Sequence, residues 1–239
     1  MPDNSVARLR RTQLAKSTRA FVARGGRVVR CPDCLLAQNQ CICAARPQLP
    51  GRSAFLLLMY QGEVFKPSNT GRLIADVVAD NHAFQWQRTE HDPQLLALIR
   101  DERYAPVVVF PHEYAEAERC IDSLQQIPAL AAGGKIPLFI MLDGTWREAK
   151  KMFRSPYLQA LPVLGIHPRQ TSAYQLREAY HAHQLCTVEV GIEVLKLAGE
   201  EDLATALQGY FEHFRERYLA GKANVRPVLR DPVPGRADS

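Results

Sequence analysis

Short apolar segments alternate with amphipathic segments over most of the chain. The apolar segments have the length of strands, and the middle ones are bounded by polar or proline-containing turns. The predicted strands are Ala54–Tyr60, Ala83–Gln87, Pro106–Phe110, Pro137–Leu142 and Pro162–Ile166. The predicted helices are Thr70–Ala79, Pro93–Arg100, Glu113–Leu124, Thr145–Phe153, 185–198 and 202–219. This alternation predicts an α/β fold with a mostly parallel sheet and flanking helices.

The first part of the chain has a different pattern. Residues 5–22 are predicted to form a basic helix, and residues 1–30 hold eight basic residues and one acidic residue. Because the whole chain has a net charge of only +5, this asymmetry favours a basic arm that binds a polyanion. A solvated amphipathic helix is the alternative. The predicted organisation is an arm over 1–30, a four-cysteine segment and linker over 31–50, an α/β domain over 51–220 and a flexible tail over 221–239.

Composition excludes several classes of protein. Apolar residues make up 46% and charged residues 23%, which is not typical of disordered, collagenous or coiled-coil chains. The longest apolar runs, Ala54–Tyr60 and Ile136–Leu142, are far shorter than the roughly 18 residues that a membrane span needs. No apolar segment follows the basic N-terminal residues as it would in a secretory signal. We therefore expect a cytoplasmic protein.

Four of the six cysteines lie close together, at Cys31, Cys34, Cys41 and Cys43. Since the cytoplasm disfavours disulfides, this cluster favours tetrahedral zinc coordination by four thiolates. A redox-active dithiol pair and a reducible disulfide knot are the alternatives. A site filled by four protein ligands has no open position for catalysis, so the expected zinc is structural.

Two strand-to-helix junctions carry polar residues, and the first of them is Lys66–Arg72. Ser68 or Asn69 suits the N-cap position of the helix that follows. A helix N-terminus between Lys66 and Arg72 also suits a carboxylate or phosphate group. Capping alone explains Ser68 and Asn69 equally well.

The second junction, Leu142–Glu148, follows the predicted strand Pro137–Leu142. Thr145 and Glu148 have the spacing of a capping box, which explains both residues without catalysis. Asp143 stands at the carboxyl end of the strand, where ligands collect in open α/β sheets, and is a candidate general base. Trp146 is either a core residue or part of the site.

Glu189 lies in a strongly apolar predicted helix together with Thr187. A carboxylate in such a helix needs a partner, because burial of an unpaired charge is costly. The amino group of a substrate and a buried salt bridge are both candidates for that partner.

Several segments together resemble the DTW-domain family. They are DGTW at 143–146, KPSNTGRLIAD at 66–76, LPVLGIHPRQTSAYQLREA at 161–179 and the four-cysteine cluster, and the similarity extends over about residues 8–222. The bacterial members that the chain resembles transfer the 3-amino-3-carboxypropyl group of S-adenosylmethionine to N3 of a uridine in tRNA. Their target is position 47 in the variable loop, and methylthioadenosine is released. The resemblance also implies a SPOUT-like core with a knot near the cofactor.

The resemblance implies roles for individual residues. Asp143 is expected to take or orient the N3 proton, while Thr145 and Trp146 hold the loop and offer an aromatic face. The expected S-adenosylmethionine-binding residues are Ser68, Asn69, Thr70, Arg72, Ser172, Tyr174, Arg177 and Glu189. The basic arm and the zinc-binding segment are expected to bind the tRNA backbone, which would make affinity salt-dependent.

Two alternative functions remain open. One is a methyltransferase that uses S-adenosylmethionine to modify RNA, which would release S-adenosylhomocysteine instead. The other is a non-catalytic zinc protein that binds RNA, in which DGTW is only a capped turn. No membrane and no obligatory protein partner are expected for any of the three functions.

Overall fold

The computed structural model describes residues 4–17, 28–166 and 185–223. Within these residues, six parallel strands form one sheet in the order β2-β1-β5-β3-β6-β4. The strands are β1 (Ala54–Met59), β2 (Asn81–Gln85), β3 (Tyr104–Val109), β4 (Cys120–Ile121), β5 (Ile136–Asp143) and β6 (Val163–Leu164). The helices are α1 (Ser5–Lys16), α2 (Gly71–Val77), α3 (Pro93–Ile99), α4 (Pro128–Ala131), α5 (Trp146–Phe153), α6 (Thr187–Leu197) and α7 (Glu201–Ala223). The predicted α/β class is confirmed.

The central strands are apolar along their whole length because helices cover both faces of the sheet. In β1, Phe55 and Leu57 point into one core, and Leu56 and Leu58 point into the other. All six residues of β1 are buried. A continuous apolar run, rather than strict alternation with polar residues, is typical of a parallel strand in this position.

Each face of the sheet has its own helical layer. The first face packs against α2, α6 and α7, and the four-cysteine segment (residues 31–43) joins the same core through Leu36 and Ile42. The second face packs against α3 through Leu95 and against α5 through Met152 and Phe153. The four-cysteine segment is therefore part of the main core and not a separate unit.

The order of the strands creates a crevice at the centre of the sheet. Strands β1 and β5 are neighbours, yet β1 connects to β2 on one side and β5 connects to β6 on the other. Ligands in open α/β sheets bind at such a switch point, beyond the carboxyl ends of the strands. Asp143 ends β5 at this point.

The N-terminal helix packs against the sheet through one face. The backbone N–H and hydroxyl of Ser5 both donate to Oδ1 of Asn81, at 3.0 and 2.5 Å. Val6 and Arg10 are also buried, while Arg8 and Arg11 lie on the exposed side of α1. The basic face therefore remains available to solvent after the apolar face has packed.

One predicted helix, Glu113–Leu124, is wrong. The segment instead forms short 3-10 turns followed by β4 at Cys120–Ile121. Tertiary contacts override its helix-forming composition: Arg119 donates to the carbonyls of Leu158 and Leu161 at 2.8 and 2.9 Å, and β4 pairs with β6. The structure also adds the two-residue strand β4 to the five strands predicted from the pattern.

None of the helices in the described part of the chain is both long enough and apolar enough to cross a membrane. The knot implied by the family resemblance remains a prediction.

The contact between α6 and α2 gives a stability prediction. A Cβ added at Gly191 would lie 2.7 Å from Cδ1 of the buried Ile74, whereas one added at the exposed Gly209 of α7 would meet nothing within 4 Å. We expect Gly191→Val to lower the free energy of unfolding by about 1–3 kcal/mol, because the core there has no spare space. Gly209→Val is the matched control and is expected to cause no loss. Urea unfolding of the two variants measures the difference, and equal stability would contradict the predicted packing.

Candidate functional site

The Asp143 carboxylate is buried at the end of β5 and is held by two other parts of the chain. It is only 3% exposed. Asn69 Nδ2 donates to Asp143 Oδ2 at 2.6 Å, and Thr187 Oγ1 donates to Asp143 Oδ1 at 2.7 Å. The backbone N–H of Tyr60, just after β1, donates to the carbonyl of Asp143 at 2.8 Å. Both the position and the orientation of the carboxylate are therefore fixed.

Asn69 connects this carboxylate to the start of α2. Its Oδ1 accepts a hydrogen bond of 3.1 Å from the backbone N–H of Arg72 and so satisfies an otherwise free donor in the first turn. Its Nδ2 also lies 3.3 Å from Oε2 of the buried Glu63. Glu63 in turn pairs with Lys66. Thr70, and not Ser68 or Asn69, occupies the N-cap position of α2, and Asn69 bonds to the first turn from the residue before it while it positions the carboxylate.

Gly71 allows α2 to approach Asp143 closely. A Cβ added at Gly71 would lie 2.6 Å from Asp143 Oδ2, which is inside van der Waals contact. Any larger residue would therefore displace either the helix or the carboxylate. Gly71 and Glu63 were not among the predicted site residues, although a glycine in the first turn of a helix allows another group to approach the backbone closely.

The start of α6 forms another wall of the site. Glu189 Oε2 accepts a hydrogen bond of 2.8 Å from the backbone N–H of Cys186, so the buried carboxylate caps the helix in which it lies. Thr70 hydrogen-bonds to Cys186 through its side chain. The segment before α2 thus contacts the start of α6 in two ways. Thr70 bonds to Cys186, and Asn69 and Thr187 both bond to Asp143.

The turn after Asp143 has the predicted capping box. The backbone N–H and hydroxyl of Thr145 both donate to Oε2 of Glu148, each at 2.7 Å. Trp146 begins α5 and stacks on Phe110, with ring centroids 5.3 Å apart and an angle of 16° between the ring planes. Trp146 is 36% exposed, and its ring packs on the second face of the sheet, whereas the Asp143 carboxylate contacts Asn69 and Thr187 on the first.

The predicted site residues do not all meet at Asp143. Asn69 contacts Asp143 directly, Thr70 and Glu189 bond to Cys186 next to Thr187, and Thr145 and Trp146 follow Asp143 along the chain but contact Glu148 and Phe110 instead. Ser68 lies half-buried in the same segment. Three further candidates, Ser172, Tyr174 and Arg177, lie outside the described residues.

Arg72 faces away from this group. Its guanidinium lies 4.9 Å from the centre of the Phe214 ring and 3.9 Å from Oδ2 of Asp76. The residue is 3% exposed, and none of its three side-chain nitrogens has a hydrogen-bond partner in the described part of the chain. Its positive charge acts on Cys34, where it opposes the rise in thiol pKa that burial causes. Arg72 therefore belongs with the cysteine cluster rather than with Asp143.

The four predicted metal ligands come together as the spacing suggested. The Sγ atoms of Cys31, Cys34, Cys41 and Cys43 all lie within 4.8 Å of one another. Cys41 and Cys31 are 3.5 Å apart, Cys31 and Cys43 are 3.7 Å apart, and Cys34 and Cys41 are 3.8 Å apart. Zinc–sulfur bonds of about 2.3 Å place the corners of a tetrahedron about 3.8 Å apart, so the geometry fits a zinc ion.

Burial raises the pKa of the Cys34 thiol, and burial together with neighbouring thiols raises that of Cys43, whereas the backbone around Cys31 favours its thiolate. Burial raises the pKa of the Cys31 thiol, but backbone N–H groups of Cys34 and Asp33 donate to its sulfur, and the net effect lowers the pKa to about 7. The turn that presents these groups places Leu35 at a φ of 59°. Such donors stabilise a negatively charged sulfur atom.

The charges of buried side chains also balance the net charge of a divalent ion bound by four thiolates. Arg46 Nη2 lies 3.9 Å from Cys43 Sγ, and Arg10 donates to the carbonyls of Pro32 and Asp33. Together with Arg72, these guanidinium groups bring three positive charges, of which Asp76 compensates one. The remaining two match the two negative charges of a Zn²⁺ ion bound by four thiolates. The orphaned donors of Arg72 therefore fit an occupied metal site.

Comparison with known proteins agrees with this organisation. The model of a family described as the DTW domain matches residues 28–219, a range that includes the four cysteines, Asn69, Asp143 and Thr187. No solved structure matches the chain significantly.

The metal cluster gives a prediction that chelation can test. We expect protein purified without chelator to carry one zinc ion per chain, and Cys43→Ser to lose it. Because the cysteines are part of the main core, the loss is expected to lower the midpoint of thermal unfolding by at least about 5 °C. Elemental analysis and thermal unfolding measure both effects.

Cys120→Ser is the matched control, since Cys120 lies outside the cluster, and it is expected to keep the metal. Chelator is expected to lower the unfolding midpoint of the unmodified protein and of Cys120→Ser, but not that of Cys43→Ser. Wild-type protein free of zinc would contradict the assignment.

Proposed function

The chain belongs to the DTW-domain family, which is linked to tRNA modification, and on that premise we propose that it is a tRNA-uridine aminocarboxypropyltransferase. The proposed reaction transfers the 3-amino-3-carboxypropyl group of S-adenosylmethionine to N3 of a uridine in the variable loop of tRNA, at position 47. Methylthioadenosine is the second product. The observation that carries the proposal is the buried Asp143 carboxylate at the switch point of the sheet.

The reaction needs both an alkyl donor and a base. S-adenosylmethionine supplies an activated carbon next to its sulfonium. The bond from uridine N3 to this Cγ carbon forms while the bond from Cγ to sulfur breaks, and the electron pair of that bond stays on sulfur as a neutral thioether. The proton of N3 has to leave, so the site must hold a group that accepts it.

Asp143 suits this role because its environment stabilises the ionised form. Asn69 and Thr187 each donate to one carboxylate oxygen, and the starts of α2 and α6 lie beside it. Hydrogen-bond donors and the positive ends of helices both favour negative charge. A carboxylate oxygen can accept more than one hydrogen bond, and the N3–H of the substrate is proposed to be one of these donors.

A carboxylate is a weak base, and a weak base is sufficient here. Alkylation at N3 draws electron density from the ring, so the N3–H becomes much more acidic as the new bond forms. Asp143 then orients the uridine through N3–H in the ground state and accepts its proton in the transition state. The fixed direction of the carboxylate aligns N3 with the donor carbon.

We propose the segment before α2 and the start of α6 as the binding region for S-adenosylmethionine. Ser68, Asn69 and Thr70 offer polar groups there, and Glu189 brings negative charge to the first turn of α6. Ser172, Tyr174 and Arg177 remain part of the proposed binding set. Arg72 supports this region from the opposite side of α2, because its side chain contacts Phe214 and Asp76 and not the polar groups of the binding region.

The substrate must offer its N3 edge, which base pairing hides. A uridine in a variable loop is unpaired, and proteins read RNA mainly in such loops. The exposed basic side of α1 and the four-cysteine segment are proposed to contact the tRNA backbone. These contacts carry no sequence information but hold the tRNA in register.

One experiment separates the proposed reaction from its alternatives. Unmodified tRNA with a variable-loop uridine is incubated with the protein and S-adenosylmethionine, and both products are analysed by mass spectrometry. We expect one uridine to gain the mass of the aminocarboxypropyl group and an equal amount of methylthioadenosine to form.

The other outcomes contradict the proposal in different ways. A gain of one methyl group with S-adenosylhomocysteine would indicate an RNA methyltransferase. Tight tRNA binding without any mass gain would indicate a binding protein in which DGTW is a capped turn. A tRNA whose variable-loop uridine is replaced by cytidine is the matched control and is expected to gain nothing.

A further inference from the structure

Two exposed aromatic side chains form one surface at the edge of the sheet where β5 ends. Tyr114 follows β3 and Trp146 follows β5, and these strands are neighbours in the sheet. Each side chain is 36% exposed. Their rings meet edge to face, with centroids 5.6 Å apart and a plane angle of 72°. Phe110 supports both from below, since its ring lies 5.5 Å from Tyr114 and 5.3 Å from Trp146. We call Phe110, Tyr114 and Trp146 the aromatic platform.

A lysine lies over this platform. Lys150 Nζ is 4.5 Å from the centre of the Tyr114 ring and 5.4 Å from that of Trp146. Lys150 has no carboxylate partner among the ion pairs of the described residues. A cation over an aromatic face is attracted by the ring, and its charge remains available to an anion that approaches from solvent.

The helix that carries Lys150 and Trp146 is itself basic. Arg147, Lys150, Lys151 and Arg154 lie in or directly after α5, and the acidic residue in this stretch, Glu148, is engaged with Thr145. The platform is therefore the apolar part of a positively charged surface. Single exposed aromatic residues need no explanation, but two in contact, with a lysine above them, are typical of an interaction site.

The chemistry of the platform and Lys150 indicates which class of ligand binds there. A ligand that suits it has a flat π system for Tyr114 and Trp146 and a negative charge for Lys150. A nucleotide in a single-stranded region has both, because its base is free to stack and its phosphate lies close by. An acidic peptide would use the charges of α5 but not the aromatic faces.

We propose that Tyr114 and Lys150 bind a nucleotide adjacent to the modified uridine, with its base stacked on the aromatic platform and its phosphate paired with Lys150. This inference rests on the proposed function, because it takes RNA as the substrate of the Asp143 site. Trp146 begins the helix that follows Asp143, so the platform stands at the same edge of the sheet as the proposed uridine site. The neighbouring base stacks on the aromatic platform instead of on the target uridine. The uridine is thereby turned out of its stack.

Binding measurements without S-adenosylmethionine test the proposal separately from the reaction. The probe is unmodified tRNA with a variable-loop uridine, and its dissociation constant is measured for the unmodified protein, Tyr114→Ala, Tyr114→Phe and Lys150→Met. We expect Tyr114→Ala to weaken binding about 5- to 150-fold, the range for one base stacked on an aromatic ring. Tyr114→Phe keeps the ring and is expected to stay within about twofold.

Lys150→Met is expected to change the dependence of affinity on salt. Loss of one phosphate contact lowers the slope of log K against log salt by about 0.7 for single-stranded nucleic acid. Lys196→Met on α6 is the matched control: it removes an exposed lysine that pairs with Glu193, and it should leave the slope unchanged. Thermal unfolding of each variant verifies that it is folded.

Equal affinity of Tyr114→Ala and the unmodified protein would overturn the proposal, as would failure of the unmodified protein to bind tRNA. An equal loss of tRNA affinity in Tyr114→Ala and Tyr114→Phe would also overturn the proposal, because an aromatic ring at this position would then not be sufficient for binding. If Tyr114→Ala weakens binding but the protein transfers no group to tRNA, the platform stands and the proposed reaction fails.

Discussion

The site depends on the hydrogen bonds that hold one buried carboxylate. A carboxylate that is removed from water must be paired with donors, and Asp143 finds them in Asn69 and Thr187. Because these donors stand at the starts of α2 and α6, the carboxylate is satisfied only when the sheet and both helices are assembled. Gly71 makes the close approach of α2 possible. The same contacts that complete the fold therefore set the direction of the carboxylate that is proposed to react.

The short helix α2 links this carboxylate to the cysteine cluster. Gly71 faces Asp143, while Arg72 and Asp76 face the buried arginines and the thiols on the other side. Four thiolates around a divalent metal ion carry two net negative charges, and these complement the buried Arg72 guanidinium, whose nitrogens make no hydrogen bond in the described part of the chain. The proposed zinc thus stabilises the side of α2 that carries Arg72 and Asp76, while the start of α2 positions Asn69. A zinc ion with four protein ligands has no open position for substrate.

Local patterns predicted part of this arrangement. The apolar strands, the four cysteines and the capping box of Thr145 and Glu148 follow from spacings of a few residues, and the structure agrees with them. The hydrogen bonds from Asn69 and Thr187 to Asp143 cross 74 and 44 residues. Asn69 had a sufficient local explanation as an N-cap candidate, and Thr187 was predicted only to lie in an apolar helix. The segment Glu113–Leu124 was predicted wrongly because its composition favours a helix while Arg119 and β4 bind it to β6. The orientation of the Arg72 side chain likewise depends on its contact with α7. The sequence pattern does not predict that α7 lies beside α2.

The central claim is that the ionised Asp143 carboxylate accepts the proton of the substrate base, and the single-turnover rate of Asp143→Asn tests it most directly. The variant keeps the size of the side chain but removes its negative charge. The account predicts that the transfer rate on tRNA falls by at least about 100-fold, the lower range for loss of a general base. The affinities for tRNA and S-adenosylmethionine should stay within about threefold in protein shown to be folded. A transfer rate equal to that of the unmodified protein would contradict the account.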